Sequence, residues 1–401
     1  MTEMTVEETS SPILMMQARR VSELVEHKSP MHSEPGTPNR RRSRSHSITL
    51  YEAPPIVKQI PRSKSLMVSL YAKLSILRLF KTEHTTEAQQ HISLIAIAST
   101  ATVKSAFDLL LENRIHALPV YARNKKEKKY IGVVSVLSLL RFAMLQPMLA
   151  QGTRKGTDVS AEGRKRMLRD SEGFLKKTMQ DVLATAGEKG KILEFGDNEP
   201  LSKLIQMFGS GVHRALVRVA PPSPTNPLVD DGVRLVSQTD LVRWLLAHSQ
   251  FFPVQMEYKV KSFAIFEPVK MSSAERTLDG FLLMSNRGVS AVAIVDDENH
   301  LIDTLAASDL RLLSTESVAT LNRPASFYLY KDGVPPRVPV TVNEDETLLQ
   351  VIQRLVDFSL HKLWVVDGHN KLMGVVTMTD VCRVFAQCLS QSSDDVPKKI
   401  S

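Results

Sequence analysis

Cysteine and aromatic residues are scarce in this chain of 401 residues. It contains two cysteines, and Phe, Trp and Tyr together make up 6% of its residues. Both cysteines, Cys382 and Cys388, fall in one predicted helix, so neither a disulfide framework nor a zinc site is indicated and a reducing compartment fits. No apolar run approaches the roughly 18 residues that a transmembrane helix needs. The acidic N-terminus also lacks the charged segment and apolar core of a signal peptide. We therefore expect a protein of the cytosol or the nucleus, without membrane association.

Recognisable catalytic motifs are absent as well. The sequence contains no G-x-x-x-x-G-K-[ST] phosphate loop, no H-E-x-x-H zinc motif and no G-x-S-x-G nucleophile turn. We expect no enzyme activity, no catalytic cofactor and no metal. The formal net charge is +8, but the positive charge is concentrated in an N-terminal tail and one later insert. Because it does not lie on a helix patterned with aromatic residues, nucleic acid is not an expected partner.

What the sequence does contain is one structural unit that recurs four times. In its last copy, residues 363–380 read LWVVDGHNKLMGVVTMTD, which predicts two buried strands around a polar turn and an aspartate that opens a helix. An amphipathic helix precedes the strands, and Asn343 and Glu346 predict a capping box at its start. One such unit exposes too much apolar surface to be stable alone, which is why repetition is expected. The pattern predicts an α/β (α+β) fold.

The boundaries follow from shifts in composition. Residues 1–65 mix Pro, Ser, Thr and Arg without apolar periodicity and predict a disordered tail. Arginine stands three residues before serine at several places in it, including Arg62 and Ser65, which makes phosphorylation an expectation. The remaining ranges are repeat one at 66–146, a basic linker insert at 147–174, repeat two at 175–250, repeat three at 251–318, repeat four at 325–390 and a second disordered tail at 391–401.

The repeats resemble cystathionine beta-synthase (CBS) repeats, and the resemblance covers residues 92–390. It is carried by HALPVY in repeat one, VHRALV in repeat two, RGVSAVAIVDD in repeat three and SLHKLWVVDGHNKLMGVVTMTD in repeat four. In that family two repeats pair through their sheets into a module, and two modules can stack into a disc with nucleotide clefts facing its middle. A chain of four repeats without an attached enzyme or transporter is most similar to the gamma regulatory subunits of AMP-activated and SNF1-type protein kinases.

That resemblance implies AMP, ADP or ATP as regulatory ligands, and a catalytic alpha and a scaffolding beta subunit as partners. It also directs attention to the start of the last helix in each repeat, where three repeats have an aspartate and repeat one has Ser138. A carboxylate there can accept hydrogen bonds from both hydroxyls of a ribose, and the alternative is an ordinary helix cap. The cleft that depends on Ser138 is expected to bind nucleotide weakly or not at all. The acids are Asp240, Asp309 and Asp380, and the hydroxyl residues before them, open to the same two interpretations, are Thr239, Ser308 and Thr379.

Phosphate binding is expected at the beginning of the first long strand of each repeat, which the family directs towards the disc centre. Arginine offers a bidentate fork to phosphate, lysine a point charge, and histidine a donor whose charge varies near neutral pH. A basic residue at a helix end can instead complement the helix dipole, an equal alternative for the two arginines that precede the strands of repeats one and three. The candidates are Arg114 and His116 in repeat one, His213 and Arg214 in repeat two, Arg287 and Ser290 in repeat three, and His361 and Lys362 in repeat four.

Two functions are open at this point. The first is a non-catalytic adenine-nucleotide sensor whose occupancy biases its contacts with a kinase. The second is a scaffold or stress-response regulator, associated with a kinase or phosphatase, that has lost ligand control and uses its phosphorylatable tail as a switch. Gly132 and Gly374 keep the turn glycine of the family pattern, whereas Arg234 and Asp303 replace it. Ligand placement in repeats two and three therefore stays open.

Overall fold

Twelve short strands form four three-stranded sheets in the part of the chain that the structure describes. That structure is a computed structural model, and it describes residues 74–76, 79, 94–123, 128–146, 172–185, 192–219, 232–312, 317–330 and 338–393. The predicted N-terminal tail, and its phosphorylation sites, lie outside these residues. The strands are β1 (Ile97–Ala98), β2 (Ala117–Arg123), β3 (Lys128–Ser135), β4 (Glu194–Gly196), β5 (Arg214–Arg218), β6 (Val233–Ser237), β7 (Lys270–Ser272), β8 (Ala291–Val295), β9 (Leu301–Ala306), β10 (Thr341–Val342), β11 (Lys362–Val366) and β12 (Leu372–Thr377).

Every sheet has the same topology, so the predicted α/β repeat fold is confirmed. A very short first strand pairs in parallel with the second strand, and the second pairs antiparallel with the third, as in β10, β11 and β12. The strands are covered on both faces, which explains their near-continuous apolar runs. The helices around them are α1 (Val103–Glu112), α2 (Val136–Met144), α3 (Met179–Thr185), α4 (Leu201–Gly209), α5 (Gln238–Ala247), α6 (Pro253–Met256), α7 (Thr277–Arg287), α8 (Ala325–Leu329), α9 (Leu348–Asp357) and α10 (Met378–Ser393).

The sheets pack against one another in pairs. Those of repeats three and four share a small apolar core, and Trp364 Nε1 donates a hydrogen bond of 2.7 Å to Thr304 Oγ1 across it. Asn299 and Asn370 sit at equivalent turns, both with positive φ, and each donates its side-chain amide to the other repeat, to the carbonyls of Leu372 and Leu301. The sheets of repeats one and two meet in a matching core. Sheet pairing therefore joins repeats one with two, and three with four.

The helices join the repeats in the other direction. One large core is built from repeats two and four, where α4 and α5 pack against α9 and α10. A second contains the helices of repeats one and three, in which α2 packs against α7. Each repeat thus touches one neighbour through its sheet and another through its helices. The strand beginnings that carry the candidate phosphate ligands are brought together by this arrangement.

The segment before the first strand of a repeat packs onto the other repeat of its sheet pair. The backbone of Ile265, which precedes β7 in repeat three, exchanges hydrogen bonds of 3.0 and 2.9 Å with that of Val375 in repeat four. A side chain at Gly374 would bring its Cβ to 2.7 Å from the Ile265 carbonyl oxygen. In repeat one, Gly132 lies in the same way against Leu183 of α3. Both glycines therefore lie within strands, β3 and β12, and at Gly374 the approach of the Ile265 backbone requires a residue without a side chain.

A first prediction concerns Gly374. We expect Gly374→Ala to lower the free energy of unfolding by about 2 kcal/mol, because the new methyl group must push away the Ile265 backbone and weaken both hydrogen bonds. Gly368→Ala in the same repeat is the matched control, since nothing lies within 4 Å of its added Cβ. Thermal denaturation of the two variants measures the difference. Equal melting temperatures would contradict the close approach.

One local prediction from the sequence is wrong. The side chain of Asn343 does contact Glu346, but this pair closes a turn that precedes the helix. The N-cap of α9 is Thr347, which forms a capping box with Gln350. Both pairs have the residue types and spacing of a capping box, and Asn343 is simply four residues too early for the helix that follows.

Candidate functional site

The four repeats place one residue each at an equivalent position. In every repeat the backbone N–H of the first residue of the last helical segment donates to the carbonyl of the residue that precedes the second strand. The acceptor is a histidine three times, His116, His213 and His361, at 3.1 Å from its donor each time, and in repeat three it is Ser290, at 2.8 Å. The recurring bond fixes each strand beginning against the start of a helix.

Basic side chains from three repeats meet at these strand beginnings. The imidazole rings of His116 and His361 are perpendicular, with their centroids 5.0 Å apart. Lys362 Nζ donates a hydrogen bond of 2.9 Å to Ser290 Oγ of repeat three. His213 and Arg214 of repeat two lie near enough to repel positive charge on His361. We call these five side chains, His116, His213, Arg214, His361 and Lys362, the central basic cluster.

The central basic cluster disfavours its own positive charge. Burial, followed by repulsion from His116, Arg214, Lys362 and His213, lowers the pKa of His361 to about 4. Burial, then Arg214 and Lys362, lowers the pKa of His213, and burial alone lowers the pKa of Lys362 to about 8. His213 and His361 are both exposed residues, and the lowered pKa values reflect the part of each ring that the neighbouring repeats cover. No carboxylate is among the groups that shift these pKa values, so an anion would relieve the repulsion.

All three candidate aspartates cap the helical segment that they begin. Asp240 and Asp380 are the third residues of α5 and α10, and Asp309 is the third residue of the 3₁₀ helix Ala307–Leu312. Asp240 Oδ2 accepts hydrogen bonds of 2.7 Å from the backbone and the hydroxyl of Ser237. Asp309 Oδ2 accepts a backbone bond of 2.8 Å from Ala306. The recurrence of an acid at this position is therefore explained in part by capping alone.

The aspartates differ in how far solvent reaches them. Asp380 is fully buried, its Oδ2 accepts from Thr377, and its Oδ1 is held by Arg383 one turn along the helix. Asp309 is 6% exposed. Asp240 is half-buried, and its Oδ1 has no hydrogen-bond partner among the described residues. Of the three carboxylates, that of Asp240 is best placed to receive a ribose without rearrangement.

Two of the three neighbouring hydroxyl residues, Thr239 and Thr379, lie between repeats two and four. Gln238 Nε2 donates to Thr379 Oγ1 at 2.9 Å and also to two backbone carbonyls of repeat two. Thr239 Oγ1 contacts Met378 Sδ at 3.5 Å. Ser308 is half-buried beside Asp309. At Thr239 and Thr379 the hydroxyls thus help to join two repeats, a role that the sequence analysis did not anticipate.

Two arginine candidates lie outside the central basic cluster. Arg287 ends α7 and is exposed, and Arg114 is exposed with a positive φ of 52° after α1. Neither is among the groups that shift the pKa values of the cluster histidines. The position of Arg287 suits the dipole of its own helix.

Other kinds of site find little support in the described residues. No group of three or more His, Cys, Asp or Glu side chains there is arranged to hold a metal ion. None of the described helices combines the length and apolar character that crossing a bilayer requires. Cys382 and Cys388 are buried thiols that form no disulfide, and burial raises the pKa of both, that of Cys388 to about 11. They are packed residues of α10.

Comparison with known proteins identifies two of the four repeats, the first and the last. A model of the CBS domain matches residues 91–145 and 333–387, so the chain contains CBS domains. It is 25% identical over 345 residues to the SNF1-related protein kinase regulatory subunit gamma-like PV42a of Arabidopsis thaliana, an alignment that covers 74% of this chain and 92% of that protein. It is 29% identical over 204 residues to Protein SDS23 of Phaeosphaeria nodorum, covering 47% of this chain and 37% of that protein.

A solved structure has the same fold. Protein MJ1225 of Methanocaldococcus jannaschii, described as a proposed archaeal homologue of g-AMPK, aligns with a TM-score of 0.56 and 16% sequence identity. The alignment covers 78% of this chain and all of that one. The two chains therefore share their overall fold.

Proposed function

Because this chain is a CBS-domain protein related to gamma-like regulatory subunits of SNF1-related kinases, we propose that it is a non-catalytic sensor of adenine nucleotides. The single observation that carries this proposal is the central basic cluster, in which five side chains from three repeats converge and every charged group that shifts the pKa of His361 is basic. Such a site is unfavourable when empty and favourable when it holds phosphate. The cluster supplies the phosphate end of the site.

The sugar end is assigned to repeat two. Asp240 Oδ1 is available to accept from ribose hydroxyls, and α5, on which it stands, begins at the residue bonded to His213 in the central basic cluster. One residue thus connects the two ends of the site. We propose that repeat two holds the principal nucleotide, and that the repeats of Asp309 and Asp380 bind more weakly because their carboxylates are buried.

Sensing follows from the number of phosphates. AMP, ADP and ATP place different negative charge against the same cluster, and each repeat that contributes to the cluster also contacts two others through its sheet and its helices. A ligand can shift the contacts of a partner only through different free energies in the bound states. We propose that such differences pass to a kinase catalytic subunit, and to a scaffolding beta subunit, that dock on the outer surface.

A specific observation favours a second candidate function. Arg383 already occupies one oxygen of the buried Asp380, so repeat four offers no ready place for a ribose. This supports a CBS scaffold without ligand control, the alternative open from the sequence, and part of the chain is similar to an SDS23 protein. In that case the partner could be a kinase or a phosphatase.

Calorimetry and partner capture separate the two functions. We expect titration of the full chain with AMP and with ATP to give saturable heats with dissociation constants of about 1–100 μM, the range of roughly −8 to −5.5 kcal/mol. We also expect SNF1-related catalytic and beta subunits to co-purify with the tagged chain. Saturable binding that Arg214→Gln abolishes supports the sensor. Absence of nucleotide binding, with partners still captured, supports the scaffold and contradicts the sensor.

A further inference from the structure

The central basic cluster contains three imidazoles in addition to Arg214 and Lys362. His116, His213 and His361 occupy one equivalent position in three repeats, each held by the same backbone hydrogen bond of 3.1 Å. Imidazole is the side chain whose charge changes most readily near neutral pH. Because three imidazoles lie in one cluster with an arginine and a lysine, the net charge of the cluster can change with pH.

In the absence of ligand the charges facing His361 are all of one sign. They are His116 from the loop before β2, His213 and Arg214 from the beginning of β5, and Lys362 from the beginning of β11. Arg214 and Lys362 face His213 in the same way. Ser290, from the loop before β8, contributes an uncharged hydroxyl. These contacts keep both rings neutral at physiological pH, because protonation would add a charge to a crowded positive site.

A phosphate dianion reverses the preference of the two rings for their neutral forms. Its negative charge, placed within about 4 Å of the rings, stabilises the protonated imidazoles and raises the pKa of each ring towards or above neutrality. The rings then take up protons and donate both of their N–H groups, which strengthens the hydrogen bonds to the phosphate.

We infer that the central basic cluster is a proton-coupled phosphate site, at which binding of a phosphate monoester dianion is accompanied by proton uptake by His361 and His213, so that affinity increases as pH falls. The chain then responds to intracellular pH and to nucleotide through one site. The inference rests on the ligand position assigned in the proposed function, but it requires only the phosphate and not the adenine base.

Calorimetry in buffers of different ionisation enthalpy measures the coupling directly. Full-length protein is titrated with AMP at pH 7.5 in two such buffers, and the difference in heat gives the number of protons exchanged. We expect uptake of about one proton per AMP, and a dissociation constant that decreases about tenfold between pH 8.0 and pH 7.0. The ligand cannot mimic this result, because a phosphate monoester with a second pKa near 6 is already almost fully ionised and could only release protons on binding.

Two variants and a second ligand complete the test. His361→Gln is expected to reduce proton uptake by at least half, whereas His369→Gln, at the exposed turn beyond the other end of β11, leaves it unchanged. Ribose 5-phosphate, which lacks the base, is expected to show the same uptake. AMP binding with no proton exchange overturns the inference and leaves the proposed function intact. If ribose 5-phosphate binds with proton uptake and AMP binds no more tightly than it does, the inference is supported and adenine-nucleotide sensing is contradicted. If neither ribose 5-phosphate nor AMP binds, both the inference and the proposed function are overturned.

Discussion

Replacing Lys362 by methionine is expected to stabilise the free protein and to weaken AMP binding at the same time. The Lys362 side chain is half-buried beside basic neighbours, burial lowers the pKa of its ammonium group, and that group donates a hydrogen bond to the hydroxyl of Ser290. Methionine keeps the apolar stem and removes the charge. We expect the free energy of unfolding to rise by about 1 kcal/mol, seen as an increase of about 2 °C in Tm.

The pH dependence of this stabilisation has a defined sign. Burial lowers the pKa of Lys362 to about 8 in the folded chain, from 10.5 in a free lysine. Below pH 8 the group is charged in both states, so the folded protein carries the full destabilisation and the substitution has its largest effect. As pH rises from 8 through 10.5 the unfolded chain also loses the proton, and the advantage of methionine disappears.

The same substitution should weaken AMP about 10- to 100-fold, because a charge-assisted hydrogen bond to phosphate contributes about 1.5–3 kcal/mol. Lys371→Met, in the exposed turn of the same repeat, is the matched control and should change neither property. Thermal denaturation with and without AMP measures both effects. A variant that is less stable and binds AMP normally would mean that Lys362 is a structural residue.

The second large effect is expected at Asp380. Removing its charge by Asp380→Asn leaves the part-buried Arg383 guanidinium without the buried carboxylate that it pairs with, and it disturbs the two bonds from Thr377. We expect the free energy of unfolding to fall by about 3 kcal/mol, as is typical when one partner of a buried ion pair is removed. AMP affinity of the folded protein should change less than twofold.

Asp240→Asn is the matched comparison, because Asp240 has the same position in α5 and remains half-buried. We expect a loss of about 1 kcal/mol or less in stability, the usual contribution of a helix cap, and a loss of about tenfold in AMP affinity. Chemical denaturation and calorimetry on the two variants separate the roles. If Asp380→Asn weakened AMP and left stability unchanged, the ribose would lie in repeat four, and Arg383 would have to move when ligand binds.

Much of the fold was predictable because each repeat has the same local pattern of helix, strand, turn, strand and helix. The paired apolar strands and the helices follow from one spacing that recurs four times, whereas the meeting of His213, Arg214, His361 and Lys362 was expected from the resemblance to the CBS family. His116, a candidate from the sequence, joins them because the helices of repeats one and three pack together and close the arrangement. The strands and helices depend on periodicity, which a sequence displays directly.

The rest depends on contacts between residues far apart or on competition between equal local signals. Nothing in the pattern distinguishes an acid that caps its helix from one that also faces a ligand, and only burial and the position of Arg383 separate Asp380 from Asp240. Gln238, which ties repeat two to Thr379 of repeat four, lies 141 residues from its partner. The capping box predicted at Asn343 was wrong for a local reason. Two residue pairs with capping-box spacing, Asn343 with Glu346 and Thr347 with Gln350, begin four residues apart, and the second of them caps α9.

The most direct test of the central claim is a cycle that compares AMP with adenosine in the wild-type chain and in the Arg214→Gln/Lys362→Met variant. If the central basic cluster binds the phosphate, AMP should bind the wild-type chain about 100-fold more tightly than adenosine, and the ratio of the two dissociation constants should fall to near one in the variant. A ratio that is the same in both proteins would contradict the account, because the phosphate would then be recognised elsewhere or not at all.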